Sequence, residues 1–445
     1  YDAEIMVSTF MYVHRTEGSA KRGTNKKRSQ VDTWYDNRIE PYICDDYVQL
    51  APGLVWCGHM NISPTAVNPL SGLQSYTGRA SGIFPHTKVA MESIATIKTD
   101  HTKFNWTTGA VTLRNYIQRK AGLKGEFHHV YGALVVEVDE EGHWWVRQVK
   151  SDRRGRVYDL MFCAHPNGEV EIHDGVEAIV WGDIHEDVID PVMRDIAWGD
   201  GGMLDTLQPK HQVFHDLVDF SRRSHHSRRD PHVMYKYHVQ NRESIADELD
   251  GVSAFLEYSQ RPWCRSHVVR SNHDEHPERW LKEADWRSDL TNAEFYLEAQ
   301  MEALQAIRED RDFNLVEWAV KKRSKVKKIH WVARDESLIL CKKYGGGIEM
   351  SLHGDLGPNG SRGSVRSLAR LGRKVCIGHS HSAAIYEGAW CAGVTGRLDM
   401  DYARGPSSWS ATHIVVHRNA SRQMVTAFAG KWCANMGMIK QHFVD

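Results

Sequence analysis

The sequence has no run of about 18 apolar residues, the length a helix needs to cross a bilayer, and no basic-then-apolar leader of the secretory kind. Neither membrane insertion nor secretion is indicated, and a cytoplasmic location is expected. The chain starts at Tyr1 rather than Met, so a natural start upstream is expected. Paired cysteines are also lacking. The eight, Cys44, Cys57, Cys163, Cys264, Cys341, Cys376, Cys391 and Cys433, are scattered, and none forms a Cys-x-x-Cys pair. This argues against a disulfide framework or a thiolate zinc site and for reduced, mostly buried thiols. Net charge is nearly absent: 56 Lys and Arg stand against 57 Asp and Glu. Overall charge therefore selects no partner, and only local clusters can.

What is abundant is histidine, 26 in 445 residues. That hints at metal or phosphate chemistry, but it also makes accidental histidine pairs common. The length suits more than one domain, and the pattern changes near residue 172. Residues 1–172 read as a smaller α+β domain without a catalytic motif, with DNA binding or oligomerisation as candidate roles. Lys21-Arg22-Gly23-Thr24-Asn25-Lys26-Lys27-Arg28 is a basic loop, either a solvated segment or an arm that grips phosphate. Residues 111–121 predict a short helix with Leu113, Tyr116 and Ile117 as its apolar stripe and Gly122 just past its end. Residues 131–138 and 143–149 predict two strands joined by a hairpin at 139–142. A second hairpin is expected over 157–172, turning at Pro166-Asn167-Gly168. A basic helix before a hairpin suits a winged-helix-like DNA binder and equally an ordinary α+β domain.

Residues 173–445 show a different order. Short apolar runs recur, each followed at once by His, Asp or Asn. Ala178-Ile179-Val180-Trp181 precedes Gly182-Asp183-Ile184-His185, and Gln212-Val213-Phe214 precedes His215-Asp216-Leu217-Val218-Asp219. His267-Val268-Val269-Arg270 precedes Ser271-Asn272-His273-Asp274. Ile348-Glu349-Met350-Ser351-Leu352 precedes His353-Gly354-Asp355, and Val375-Cys376-Ile377 precedes Gly378-His379-Ser380-His381. Neighbouring strands that end in such residues aim them at one crevice of an α/β sheet. Helices are predicted between them, over 292–308, with Leu297, Met301 and Leu304 in line and Asn292 or Thr291 as cap, and over 313–321.

The order Asp-x-His, Asp, Asn-His-Asp, His, Gly-His-x-His resembles the calcineurin-like metallophosphoesterase superfamily, over residues 175–432. The branch of SbcD-type DNA repair nucleases is the natural comparison. The tail Leu398-Asp399-Met400-Asp401-Tyr402, with Gly405-Pro406-Ser407-Ser408-Trp409-Ser410 and a closing hairpin through Lys431-Trp432, is similar to early-expressed host-DNA-degrading nucleases of large tailed phages. The resemblance implies a four-layer αββα sandwich with two divalent metals at the sheet edge. It implies that Asp183, His185 and His381 hold one metal, that Asn272, His353 and His379 hold the other, and that Asp216 bridges them. It makes His273 the general acid or transition-state stabiliser, oriented by Asp274. Two departures stand out. His215 occupies the place of a usual glycine before Asp216, while Asp200 carries a literal Gly-Asp but comes early. Ser271 likewise replaces a usual glycine.

Oxygen and imidazole ligands favour manganese, with iron, zinc or magnesium as alternatives. Ser221 to Arg229 packs Arg222, Arg223, His225, His226, Arg228 and Arg229 close behind Asp216. It reads as a phosphate clamp or a solvated loop. Lys321-Lys322-Arg323-Ser324-Lys325-Val326-Lys327-Lys328 could extend that track, and Trp198 could stack on bases. The expectation is a two-metal DNase in the host cytoplasm if phage-encoded, with DNA as partner and a homo-oligomeric assembly by resemblance. The alternatives are a phosphatase or small-molecule phosphodiesterase, and a DNA-binding scaffold with a vestigial metal site.

Overall fold

The computed structural model describes residues 3–9, 36–326, 328–400 and 403–434. The basic loop at 21–28, Lys327, and Asp401 and Tyr402 lie outside the described residues. The chain is a mixed α/β protein with several sheets, and it divides into two compact units. One comprises residues 1–91 and 103–133, the other residues 92–102 and 134–445. No helix among the described residues is long and apolar enough to cross a membrane.

In the first unit, Tyr47–Ala51 and Leu54–Cys57 form an antiparallel hairpin. Ser81–Phe84 runs parallel to Leu54–Cys57, and Lys103–Thr107 runs parallel to Ser81–Phe84. Val55, Cys57, Leu70, Phe84 and Ala90 make its core. The helix expected over 111–121 is displaced to Lys120–His128. Val111, Leu113 and Ile117 are exposed, and only Tyr116 turns inward, where its hydroxyl meets His129 Nδ1 at 2.9 Å. β-Branched Val111, Thr112 and Ile117 resist helix, and without a surface to cover the stripe nothing offsets that resistance. Gly122, read as a stop signal, is buried inside the helix that does form.

Gly132–Val138, which lies in the second unit from Leu134 on, pairs with Trp144–Lys150 as a two-stranded sheet, and in the second unit Val157–Asp159, Phe162–Ala164 and Val170–Ile172 form a small antiparallel one. Eleven further strands carry the site: β1 Ala178–Val180, β2 His211–Phe214, β3 Arg265–Val269, β4 Ile329–Val332, β5 Ile339–Leu340, β6 Ile348–Glu349, β7 Lys374–Ile377, β8 Ala384–Tyr386, β9 Ala389–Cys391, β10 Thr412–Val416 and β11 Arg422–Thr426. One sheet has the order β4-β3-β2-β1-β10-β11, with β1 to β4 parallel and the last two antiparallel. A second run has the order β8-β9-β7-β6-β5, parallel through β9, β7 and β6.

The parallel strands need crossovers, and capped helices supply them. Asp190 caps α1, Pro191–Trp198, by accepting from Val192 N–H, and Pro191 presets its first turn. Ser244 caps α2, Ile245–Tyr258. Ser271 caps α3, Asn272–Glu283, and Asn314 caps α5, Leu315–Arg323. The stripe expected on α4, Ala293–Arg308, faces outward: Leu297, Met301 and Leu304 are 44 %, 62 % and 47 % exposed. This helix packs through Phe295, Ala299 and Ala306 instead. Its cap Asn292 is buried and spends its side chain on Ile245 N–H and on Glu243 O and Asp289.

Trp198 does not reach solvent at all. It lies in the core, 4.6 Å from Trp181 and 4.9 Å from Phe255 between ring centroids, so it cannot stack on a base. Trp198→Ala is expected to cost about 3–5 kcal/mol, as large core truncations do, and urea unfolding measures it. A change below about 1 kcal/mol would show that the ring is not a core element.

Candidate metal centre

β1 and β2 end beside each other, and their parallel pairing continues past both ends. The N–H groups of Ile184, His185 and Glu186 donate to the carbonyls of His215, Asp216 and Leu217 at 3.0, 2.8 and 2.9 Å. The turns that carry Asp183, His185 and Asp216 are thereby fixed against each other by backbone alone. The segment after β9 closes the other side. Asp183 N–H donates to Gly393 O at 3.1 Å, and Thr395 N–H donates to Asp183 O at 2.7 Å. From the end of β7, His379 N–H donates to Asp183 Oδ2 at 2.7 Å.

Gly378 is needed for closeness rather than for a turn. A Cβ there would lie 2.1 Å from Asp183 Oδ1. The positive φ angles fall instead on His185 (46°), Asp216 (46°), His379 (74°) and His381 (55°). That conformation costs a residue with a Cβ roughly 1–2 kcal/mol. Four of the seven candidate ligands are therefore held by their surroundings in a backbone state they would otherwise leave.

Asp183, His185, Asp216 and His381 are all buried, with one donor atom from each within 4.8 Å of the others. His381 Nε2 is 3.0 Å from His185 Nε2 and 3.2 Å from Asp183 Oδ2. Asp216 Oδ2 belongs to two groups at once. It lies 3.7 Å from His185 Nε2 and 3.2 Å from His353 Nε2. His353 Nε2 is in turn 2.9 Å from Asn272 Oδ1, and His379 Nδ1 is 3.1 Å from the same oxygen. Two sheets thus deliver all seven residues to one place. Asp200, in contrast, is exposed beyond the end of α1.

Burial opposes the charge of Asp216, but His353 and then His273 hold it well below the carboxylate range. Burial likewise opposes the charge of His353, yet Asp216 and Asp183 push it up to about 9. His215, the residue in place of a glycine, is pushed down to about 4 by burial, so it packs as a neutral ring 5.5 Å from His353. Asp183 Oδ1 is buried without a hydrogen-bond partner. Buried carboxylates, imidazoles and an amide oxygen that converge in this way fit a divalent metal ion.

His273 lies beside the cluster, its ring 4.7 Å from that of His185. Its Nδ1 meets the backbone carbonyl of Asp219 at 2.9 Å. The orientation expected from Asp274 comes from that carbonyl instead. The Asp274 carboxylate accepts from Val218 N–H at 3.1 Å, and burial, followed by Asp216, pushes it up to about 7. Ser271, also in place of a glycine, accepts from Asp274 N–H at 3.2 Å and caps the helix that starts at Asn272.

A search of known proteins finds Protein A1 of Escherichia phage T5, 36 % identical over 447 residues, which cover 97 % of this chain and 78 % of that protein. The chain belongs to the Protein A1 family. No protein-family model and no solved structure matches it.

In this member of the Protein A1 family the basic segment behind Asp216 is mostly turned inward, which corrects its reading as an arginine clamp. Arg222 pairs with Asp187 at 2.6 Å and donates to Ser244 O at 2.7 Å. Arg223 makes a two-pronged pair with Asp289 at 2.7 and 2.9 Å. Arg228 pairs with Glu283 at 2.8 Å, His225 is half-buried, and His226 and Arg229 are exposed. In the second basic run, Lys321, Lys322 and Arg323 pair with Glu317, Glu298 and Asp250.

Asp219 escaped the sequence reading. Its Oδ1 lies 3.2 Å from His185 Nδ1, and the only signal was a second carboxylate three residues after Asp216. A carboxylate behind a metal-binding imidazole fixes the ring and its tautomer. Asp219→Asn is expected to weaken manganese binding about 10–100-fold in a calorimetric titration, with the circular dichroism spectrum unchanged.

Glu248 on α2 is a buried carboxyl. Its Oε1 accepts from Phe220 N–H at 2.6 Å, and its Oε2 lies 3.6 Å from Arg222 Nε. Burial first, then Asp187 and Asp219, push it up to about 8. The folded value exceeds the unfolded value of about 4.3. Its contribution to stability is therefore fully present below the unfolded value and is lost as pH rises through about 8. Glu248→Gln keeps the acceptor for Phe220 and removes that titration. The Tm advantage of the variant over the parent should grow from about pH 5 to about pH 8, and a constant difference would contradict it.

Proposed function

We propose that the chain is a two-metal nuclease of the calcineurin-like metallophosphoesterase type, with that superfamily's four-layer αββα sandwich as its catalytic architecture. It hydrolyses phosphodiester bonds in DNA, is phage-encoded and acts on host DNA. The observation that carries the reading is the single Asp216 oxygen shared between two donor groups. Asp183, His185 and His381 form one group, and Asn272, His353 and His379 form the other. Two divalent ions at such a centre, with manganese the first candidate, supply a nucleophile at neutral pH and charge stabilisation for an in-line displacement.

The protein's own groups do the rest. His273 donates its Nδ1–H to Asp219 O, which points Nε2 away from that carbonyl, and in its protonated imidazolium form it would pass the Nε2 proton to the leaving oxygen and be left neutral. Asp219 steadies both His185 and, through its carbonyl, His273. His226 and Arg229 are the exposed groups of the basic segment that can meet a phosphate.

A second reading, a phosphatase or small-molecule phosphodiesterase, gains from the inward arginines. Arg222 and Arg223 offer no track to a polyanion. The test uses linear DNA, circular DNA and a nitrophenyl phosphate ester with manganese, with and without chelator. Chelator-sensitive loss of DNA is expected. Cleavage of the ester alone would favour the second reading, and DNA retention without cleavage would favour a binding protein. His273→Ala is expected to keep its metal content and lose about 10²–10⁴-fold in turnover. Full activity in that variant would remove His273 from the chemistry.

A further inference from the structure

The small antiparallel sheet carries a second set of metal-type donors. Pairing places Glu171 directly opposite Cys163, and His165, two residues after Cys163, falls on the same side of the strand. His165 Nε2 lies 3.2 Å from Glu171 Oε1 and 3.9 Å from Cys163 Sγ. One donor atom from each of the three is within 4.8 Å of the others. The turn between them is built to hold this spacing. His165 N–H donates to Glu169 O at 2.8 Å, Gly168 N–H donates to His165 O at 3.0 Å, and Asn167 Oδ1 accepts from Glu169 N–H at 3.1 Å.

We propose that Cys163, His165 and Glu171 form a separate binding site for a zinc-like divalent ion. The donor set is sulfur, nitrogen and oxygen, with three protein ligands and room for water as a fourth, because His165 is half-exposed and Glu171 exposed. Thiolate and imidazole select zinc or cobalt over magnesium and manganese, which sets this site apart from the sulfur-free centre at Asp183. Binding forms the metal–sulfur bond as the thiol proton leaves to solvent, with no change in oxidation state. Burial holds the Cys163 thiol above its ordinary value while the Tyr158 hydroxyl opposes it, so the thiol stays protonated until a cation replaces the proton.

The site has structural sense. Val170–Ile172 is exposed along its whole length and is held by three paired residues. A metal joining Cys163 to Glu171 would clip that outer strand to its neighbour. The absence of any Cys-x-x-Cys pair hid the arrangement, because the third donor comes from across the hairpin.

The test titrates cobalt(II), as a zinc surrogate, into the full chain and follows the cobalt–thiolate charge-transfer absorption, to which the sulfur-free centre does not contribute. The band is expected to saturate at the amplitude of one cobalt–thiolate site per chain, to vanish in Cys163→Ser, to need at least tenfold more cobalt in His165→Ala, and to be discharged by zinc. Asp183→Asn should leave it unchanged, so the result stands apart from the nuclease reading. No band in the folded parent, or an undiminished band in Cys163→Ser, overturns the site. Should Cys163→Ser fail to fold, His165→Ala decides, and an unchanged cobalt affinity there overturns it equally.

Discussion

Asp183 and Asp216 are 0 % and 1 % exposed and converge on the same imidazoles. Two carboxylates in a dry place repel each other, and each has lost the water that would stabilise its charge. They are tolerable only with positive charge among them. The chain supplies part of it through His353 and His185, both raised above the ordinary imidazole value although burial pulls each down. The same nitrogens are those a metal would use. A cation entering here replaces protons instead of adding to them, so affinity and proton release are linked.

That electrostatic demand accounts for the backbone around it. Ligands this close together cannot all sit in relaxed strand geometry, and the left-handed residues His185, Asp216, His379 and His381 show where the chain bends to comply. The parallel ladder running on from β1 and β2 holds the first two. The contact of His379 N–H with Asp183 holds the third. Gly182 and Gly378 leave out side chains where backbone or carboxylate comes too near for a Cβ. Strain at the site is thus carried by sheets whose cores, with Trp181, Phe214 and Ile179 fully buried, can bear it.

Much of this was legible in the sequence because the relevant signals are local. An apolar run followed by His, Asp or Asn marks a strand and its end together, and five of them in one order named the residues that the fold brings together. What was not legible depends on partners distant in the chain. Arg222 and Arg223 read as a phosphate clamp because Asp187 and Asp289, which bind them, are 35 and 66 residues away. Trp198 read as a stacking ring because nothing local showed that Phe255 would cover it. The α4 stripe shows that helical spacing fixes which residues share a face, but not whether that face is covered.

The inward arginines change what a substrate would meet. Beside the centre stands a row of imidazoles, His273 to His276 at 4.7 Å, His276 to His225 at 5.0 Å and His225 to His226 at 3.8 Å between ring centroids. Burial, with His273 next to it, pushes His276 down to about 3, and burial with His226 lowers His225. Where burial keeps an imidazole neutral, as at His276, the ring places directed hydrogen bonds but creates little field. Directed donors position one phosphate, whereas a broad positive field gathers a polyanion from a distance. With Arg222, Arg223 and Arg228 already paired, a phosphate at the proposed site would meet the geometry of the row and exposed Arg229, and much less the total of basic residues that the sequence displays.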